Sequence, residues 1–435
     1  MDTILKKGVK YTKEEEKELK NTFKTHKGWY LVLGSIMPAF KIHPVFNILF
    51  YSIHFYILLY NVYLTFIVEE EMAIASEALY FTLIICCALC FTSSTFKIAK
   101  YIRELVEKLT RGVYIYGDTI DPETSAMIKT ITADMKKRKF RLMNSIEIVF
   151  NSFFFGCVVA FPVLAGKFSP KSDALREKFS NLTTYTLNDQ AMVIGWFPYD
   201  TRDWPLWTLA FLSEYYMGLS ILCILDGLDL SFIGFAEEMC NEIEIFNLTV
   251  RNVVKRARYL YTKKFGREVS SFEDEKFHAC LKECLKDSVR HHCACIRYFR
   301  DLQNAYSAPV LVVILTGALM LCMSGVIFVS KKVNMGIKLE FFFYLVGEIT
   351  HIFIYSYYGE RVNELSSNSH EKPYEMGWEE MSKVLLPYIL MIQSRTIEPL
   401  KLSAGGLIAC SFDTFGNVVS SAYSYFNLLS AAADF

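Results

Sequence analysis

The chain has 435 residues, of which 52% are hydrophobic and 15% aromatic, with 46 basic and 46 acidic residues and no formal net charge. That composition is too apolar for an ordinary soluble domain, and the balanced charge argues against the global field that draws nucleic acid. The charges cluster between long apolar runs, so the chain reads as an all-α membrane protein of several spans.

A helix crosses the hydrocarbon with roughly 20 predominantly apolar residues. Seven runs meet that test, at 44–67, 73–96, 142–166, 205–227, 307–330, 339–359 and 405–430. The first and fifth carry no charge. The others hold one or two acids each, namely Glu77, Glu147, Glu214, Asp226, Glu340, Glu348 and Asp413. Acids inside a span usually face protein or water. Residues 1–43 are rich in Lys and Glu and lack an apolar signal core, so the first span is expected to direct insertion. With the N-terminus inside, 38 of the 46 Lys and Arg fall in cytosolic stretches and eight in external ones. This positive-inside bias makes the N-terminus cytosolic and, after seven crossings, the C-terminus extracellular. A G-protein-coupled receptor has the opposite sense, and its Asp-Arg-Tyr and Asn-Pro-x-x-Tyr motifs are missing. The sequon at Asn181 falls in the second external loop, where glycosylation is expected. The sequon at Asn247 falls inside and should be silent.

Between the spans, 97–112 repeats apolar residues at helical spacing through Ile98, Ile102, Leu105 and Leu109. The stretch 377–394 does the same with Trp378, Met381, Leu385, Tyr388 and Ile392. Span four continues its pattern through Phe232, Phe235 and Ile243, and 273–306 runs helically into span five. Such stripes require partners, from the same chain or from neighbouring subunits. The organisation is therefore a cytosolic segment 1–43, spans one to four over 44–237, a cytosolic helical region 238–306, spans five and six over 307–359, a cytosolic helix over 360–404 and a last span over 405–435. Of the twelve cysteines, Cys86, Cys87, Cys90, Cys157, Cys223, Cys322 and Cys410 fall within spans. Cys240, Cys280, Cys284, Cys293 and Cys295 fall in cytosolic stretches, so no disulfide is expected. His278, Cys280, Cys284, His291, His292, Cys293 and Cys295 crowd one stretch, but without a repeated Cys-x-x-Cys pair. Packing is preferred over zinc ligation there. No cofactor is expected, and no enzyme signature is visible.

The last span follows Pro399, Gly405 and Gly406, which predict a hinge between two helical pieces. Asp413, Asn417, Ser420, Ser424, Leu428 and Ala431 are spaced 4, 3, 4, 4 and 3, and so share one helical face. Phe412, Val419, Tyr423, Phe426 and Leu429 are assigned to the other side. A polar stripe in hydrocarbon must meet water or another polar helix. Two readings fit it: a small-residue helix seam, and a water-filled pathway with Leu428 as an apolar constriction that gates by dewetting.

The C-terminal run carries a family resemblance. It reads Tyr357-Tyr358-Gly359-Glu360, Ser366, Tyr374, Trp378, Gln393-Ser394-Arg395, Pro399, Leu402 and Ala404-Gly405-Gly406. It continues through Phe412, Thr414-Phe415 and the unbroken run Ala422-Tyr423-Ser424-Tyr425-Phe426-Asn427-Leu428-Leu429. In order and spacing it resembles the ending of the insect odorant receptors. The resemblance implies an odorant-gated, non-selective cation channel, assembled as a tetramer around a central pore lined by the last span. It implies a cytosolic anchor of shared helices and a place in the plasma membrane of olfactory neuron dendrites. Tuning members of that family act with a common olfactory co-receptor, which has a long insertion between spans four and five and a Thr-Tyr-Phe-Met ending. This chain has a short loop there and Ser-Tyr-Phe-Asn, so it is similar to a tuning subunit. The family's gate position falls on Leu428 and its filter position on Ala431.

The resemblance also places an odorant pocket among spans two, three, four and six. The residues there are Tyr80, Phe81 and Ile84; Phe155, Val158 and Val159; Tyr215, Tyr216 and Leu219; and Phe342, Phe343 and Leu345. Such a wall suits a volatile apolar ligand held by burial, with a Tyr hydroxyl as a polar handle. Plain span packing is the competing reading for each residue singly. Trp196, Trp204 and Trp207 crowd the outer entrance to span four, as an interfacial belt or as a pocket lid. A chemosensory receptor without its own pore is the alternative function. Internal repeats that would mark a transporter are missing.

Overall fold

The computed structural model describes residues 12–25, 44–68, 72–155, 187–188, 195–197, 199, 204–329 and 335–432. The helices are α1 (Lys13–Thr25), α2 (Pro44–Val68), α3 (Met72–Arg111), α4 (Pro122–Phe155), α5 (Trp204–Arg251), α6 (Val253–Phe265), α7 (Glu275–Val329), α8 (Met335–Glu371), α9 (Ser382–Thr396) and α10 (Phe412–Ala432). Short 3-10 turns at Lys372–Met376 and Glu379–Met381 lead into α9. The antiparallel pair β1 (Leu187–Asn188) and β2 (Gly195–Trp196) lies before α5, and the pair β3 (Ser403–Ala404) and β4 (Ile408–Ala409) before α10.

Local chemistry sets the helix ends. Thr12 and Glu15 form a reciprocal capping box, with Glu15 N–H donating to the Thr12 hydroxyl at 3.2 Å and Thr12 N–H to the Glu15 carboxylate at 2.9 Å. Asp121 accepts from Thr124 N–H at 3.0 Å and caps α4, with Pro122 at its first position. Asp274 and Ser411 cap α7 and α10 in the same way, at 2.8 and 3.2 Å. Gly266, at φ 67°, closes α6.

Each expected apolar run overlaps a helix among the described residues, the third only as far as Phe155, since 156–166 lie outside them. Several helices outrun their span: the 97–112 stripe is the continuation of α3, α5 has 48 residues, and α7 has 55. At 1.5 Å per residue α7 is about 80 Å long, against a hydrocarbon of about 30 Å. By length and hydropathy alone, Trp204–Arg251 and Glu275–Gly325 qualify as membrane-crossing, and the stretches 78–93 and 98–111 qualify as a bent pair. The other expected spans are helical but more polar or shorter among the described residues: α8 holds Glu340 and Glu348, and α10 holds its polar stripe. The last helix begins at Phe412 and not at 405, because the glycines of the expected hinge form a β-turn. Gly405 and Gly406 take φ of 62° and 71°, a conformation that side chains with a Cβ rarely adopt.

Helix α7 is central and packs against α3, α5, α6, α8 and α10. One apolar core runs along the spans, from Ile85 and Phe91 through Ile221, Phe232, Tyr306, Val313 and Ile352 to Ala422. A second core closes the end of the bundle beyond the spans, with Phe246, Val253, Leu260, Phe277, Leu281, Leu285, Leu385, Ile389 and Ile392. The stripes Ile98–Ile102–Leu105 and Met381–Leu385–Ile392 are buried in the same chain, as are Phe232, Phe235 and Ile243. Arg256 ties this second bundle together. Fully buried, it donates to the Thr119 carbonyl (3.0 Å), the Thr249 carbonyl (3.0 Å) and the Ser288 hydroxyl (2.8 Å), and lies 5.0 Å from the Tyr116 ring centre.

Candidate functional site

Two regions bring sequence-predicted residues together. The first lies between α3, α7 and α8. Tyr80 is buried, and its ring stacks on Tyr344 at 4.7 Å and meets Phe341 edge-on at 5.7 Å. Phe81 packs edge-on against Tyr344 at 5.9 Å. Met320 and Ile84 complete the cluster. A cavity of about 10 Å³ adjoins it, lined by Ile84, Cys87, Leu225, Val313, Thr316, Met320, Glu348 and His351. That is room for about one water.

The wall of this cavity is polar at one side. Thr316 donates to the Val312 carbonyl at 2.7 Å and lies 2.9 Å from the Cys87 sulfur. Glu348 faces Gly317, whose missing side chain makes the room: a Cβ there would sit 3.1 Å from Glu348 Oε2. His351 Nε2 is 3.0 Å from Asp229 Oδ1, which also accepts the Tyr355 hydroxyl at 2.7 Å. Asp226 and Asp229 are both buried, each with one carboxylate oxygen that meets no donor. Sequence reasoning marked Asp226 and Glu348 as acids in spans. It did not mark His351, Asp229 or Tyr355, which are one to two turns away on the same helices.

The remaining pocket residues disperse. Leu345 is half-buried against the span core. Tyr215 is half-buried, and Tyr216 turns to α2, meeting Phe50 edge-on at 5.1 Å. Leu219, Phe342 and Phe343 lie on exposed faces. On α8 the inward positions are therefore Phe341 and Tyr344, one residue out of step with the Phe342–Phe343 pair expected there. The side chain of Phe155, and all of Val158, Val159 and Asn181, lie outside the described residues. Of the tryptophans, Trp207 is buried and stacks on Phe211 at 5.3 Å, Trp204 is exposed, and the side chain of Trp196 is outside the described set.

The second region is α10. Phe415, Val418 and Ala422 pack into the span core, and Phe426 lies against Gly325 of α7. Asp413, Asn417, Ser420, Ser424 and Leu428 are all exposed in the single chain, Leu428 to 66%. Ala431 is helical, but its side chain is outside the described set. Phe412 and Tyr423, assigned above to the opposite side, are exposed as well. The foot of α10 is fixed by the β3–β4 hairpin. Gln303 of α7 clamps it, donating to the Ser403 carbonyl at 2.6 Å and accepting Ser403 N–H at 3.0 Å.

In the second bundle the His/Cys stretch is engaged by packing and hydrogen bonds. His278 bonds the Phe272 carbonyl at 2.6 Å. Burial pushes the Cys284 thiol up to about 12 and Cys295 further. Glu242, His291 and Cys295 each bring a donor atom within 4.8 Å of the others. However, the two ring nitrogens of His291 already meet Glu242 at 2.8 Å and Tyr116 at 2.7 Å, so the group satisfies itself without an ion.

Comparison with known proteins places this architecture. The family model described as "7tm Odorant receptor" matches residues 120–423. Odorant receptor 67c of Drosophila melanogaster is 21% identical over 307 residues, 69% of each chain. Odorant receptor 22c of the same species is 27% identical over 179 residues, 41% of this chain and 44% of that one, so the match spans less than half of that relative. Among solved structures, the insect olfactory receptor OR5 from Machilis hrabei in complex with eugenol superposes with a TM-score of 0.72 at 14% identity, covering 99% of this chain and 100% of the other. The same receptor without eugenol in its description superposes with a TM-score of 0.69 at 13% identity.

Proposed function

Given that the chain belongs to the insect odorant receptor family, we propose that it is a tuning subunit of an odorant-gated, non-selective cation channel. In this reading its seven helical runs cross the plasma membrane of an olfactory neuron, with the N-terminus inside and the C-terminus outside. The subunit works with the olfactory co-receptor in a heterotetramer. One observation carries the reading. The face of α10 bearing Asp413, Asn417, Ser420, Ser424 and Leu428 is exposed in the single chain, while its other ridge is packed. A polar stripe facing lipid is unfavourable. Copies of α10 from four subunits, turned toward a common axis, would give that face water instead. Leu428 then makes the apolar constriction, and Ala431 stands at the filter position, with a partner subunit supplying polar groups to that ring.

The odorant is placed at the Tyr80–Phe81–Tyr344 cluster and its adjoining cavity. Solved with eugenol, the Machilis receptor supports a small volatile ligand for this fold. Ligand binding shifts the population toward the open state only through a difference in affinity between the two states. Glycosylation at Asn181 is part of the same topology.

The test is co-expression with the co-receptor and recording of odorant-evoked current. Current that appears within one patch, independent of intracellular nucleotide analogues, supports the channel. Current abolished by those analogues favours a receptor without a pore. Leu428→Ser should raise the basal current by loosening the dewetted constriction. Unchanged gating and basal current in that variant rule out the gate position.

A further inference from the structure

We infer that the groove between α7 and α9 binds a membrane lipid through a phosphorylated, anionic headgroup. The groove holds about 450 Å³, within the size range of small-molecule sites. Its floor is the Phe246–His292 stack, with ring centres 4.8 Å apart, flanked by Val289, Ile296, Met391 and Ile392. Its rim carries Arg297 and Arg300 of α7 and Arg395 of α9, all exposed. Helical spacing explains the grouping on α7, since Cys293, Ile296, Arg297 and Arg300 follow at three and four residues and share one face. No carboxylate lines the groove. Among the described residues no acid pairs with these three arginines, whereas nearby cations are matched: Lys108 with Asp301, and Arg361 with Glu237 and Glu244. Glu398 lines only the smaller crevice that adjoins the groove at Arg395.

Three guanidinium groups around one space repel each other, and an anion among them relieves that repulsion. Their planar forks match phosphate oxygens in pairs. The apolar floor beside them rewards a ligand with a hydrocarbon part. A phospholipid meets both demands at once. Position agrees with this. Arg300 and Arg297 precede the charge-free run that opens at Ser307 by seven and ten residues, about 10 and 15 Å along the helix. Basic pockets beside the ends of spans take up anionic headgroups in this way. The seat of that run in a membrane comes from the seven-span reading proposed for the chain; the charges and the floor do not depend on it.

The experiment measures binding of soluble dioctanoyl lipids to the purified full-length chain in detergent. Phosphatidylinositol bisphosphate should bind more tightly than phosphatidylcholine by about a hundredfold, at roughly fivefold for each cation. Arg297→Gln, Arg300→Gln and Arg395→Gln should each lose about fivefold, and the triple variant about a hundredfold. The paired change Lys136→Gln and Lys137→Gln removes exposed charge from α4 and should alter binding by less than about twofold, because charge outside the groove is screened. Met391→Ser should weaken the lipid and leave free inositol trisphosphate unchanged, which separates a lipid from a soluble phosphate. An unchanged thermal transition shows that the variants are folded. Free inositol trisphosphate bound as tightly as the lipid assigns the groove to a soluble phosphate. Equal losses in the arginine and lysine variants reduce the effect to general surface charge. No preference for the bisphosphate lipid leaves the groove without a headgroup, and a wild-type chain that is then dimeric or larger gives it to a second copy. Each of these results overturns the inference. Binding as expected in a chain that carries no odorant-evoked current upholds it and counts against the channel reading alone.

Discussion

Arg256 is buried to the last atom, and its guanidinium bonds the loop after α3, the end of α5 and the middle of α7. Truncating it leaves two carbonyls and a hydroxyl unmet in a dry core. Arg256→Ala should therefore cost about 3–5 kcal/mol, read as lost surface expression and an earlier thermal transition of the purified protein. Arg256→Lys should recover little, because one ammonium cannot span the fork of acceptors. Gly359 is a steric counterpart. A Cβ there would lie 2.0 Å from the backbone oxygen of Cys410, an atom that cannot swing aside. Gly359→Ala should destabilise by about 1–3 kcal/mol or more. Gly416→Ala, whose Cβ would meet nothing within 4 Å, is the matched control and should unfold near the wild-type temperature. Neither role was legible in the sequence. Arg256 sits among other basic residues with nothing to set it apart, and its partners are backbone and hydroxyl groups up to 137 positions distant together with the Asp287 carboxylate at 3.7 Å. The Gly359 contact is likewise long-range.

Among elements, helices and their buried stripes were the most legible part, since a 3.6-residue period is written in each segment alone. Ile98, Ile102, Leu105, Met381, Leu385 and Ile392 are buried as their spacing predicts. Legibility failed where the cause is a neighbour. The β3–β4 hairpin replaces a simple hinge because Gln303 and the Ser307 carbonyl, bonded by Gly405 N–H at 2.8 Å, hold it open against α7. The one-residue error on α8, Phe342 for Phe341, arose because three consecutive phenylalanines carry no phase. On α7, His292 stacks on Phe246 at 4.8 Å, and burial pushes its imidazole down to about 4, with His291 and Arg395 adding to the effect. The unfolded chain takes up that proton near pH 6.5 and the folded one only near 4. The stability tied to neutral His292 is thus fully present above 6.5 and lost as pH falls from 6.5 toward 4. His292→Phe keeps the stack and removes the proton. Its acid-unfolding midpoint, followed by circular dichroism in detergent, should move to lower pH.

For the molecule as a whole, the span bundle and the second bundle share the long helices α5 and α7, which run through both. The polar ring around Glu237 stands where the two bundles meet. Arg138 of α4 at 3.0 Å, Arg361 at 2.7 Å and Tyr358 at 3.0 Å, both of α8, converge on that one buried carboxylate of α5. Breaking it with Glu237→Gln should weaken the joint between helices without touching the Tyr80–Tyr344 cluster. The expected result is a larger loss of maximal current than of odorant sensitivity in concentration–response recordings. Equal loss of both would place Glu237 outside the coupling.

The second bundle also sets an order of folding. Its core joins Phe246, Leu260, Phe277 and Leu285 to Leu385, Ile389 and Ile392. The apolar side that α9 covers therefore stays uncovered until residues 382–396 have been made, and this core closes only after the helices α5, α6 and α7 that build the rest of it.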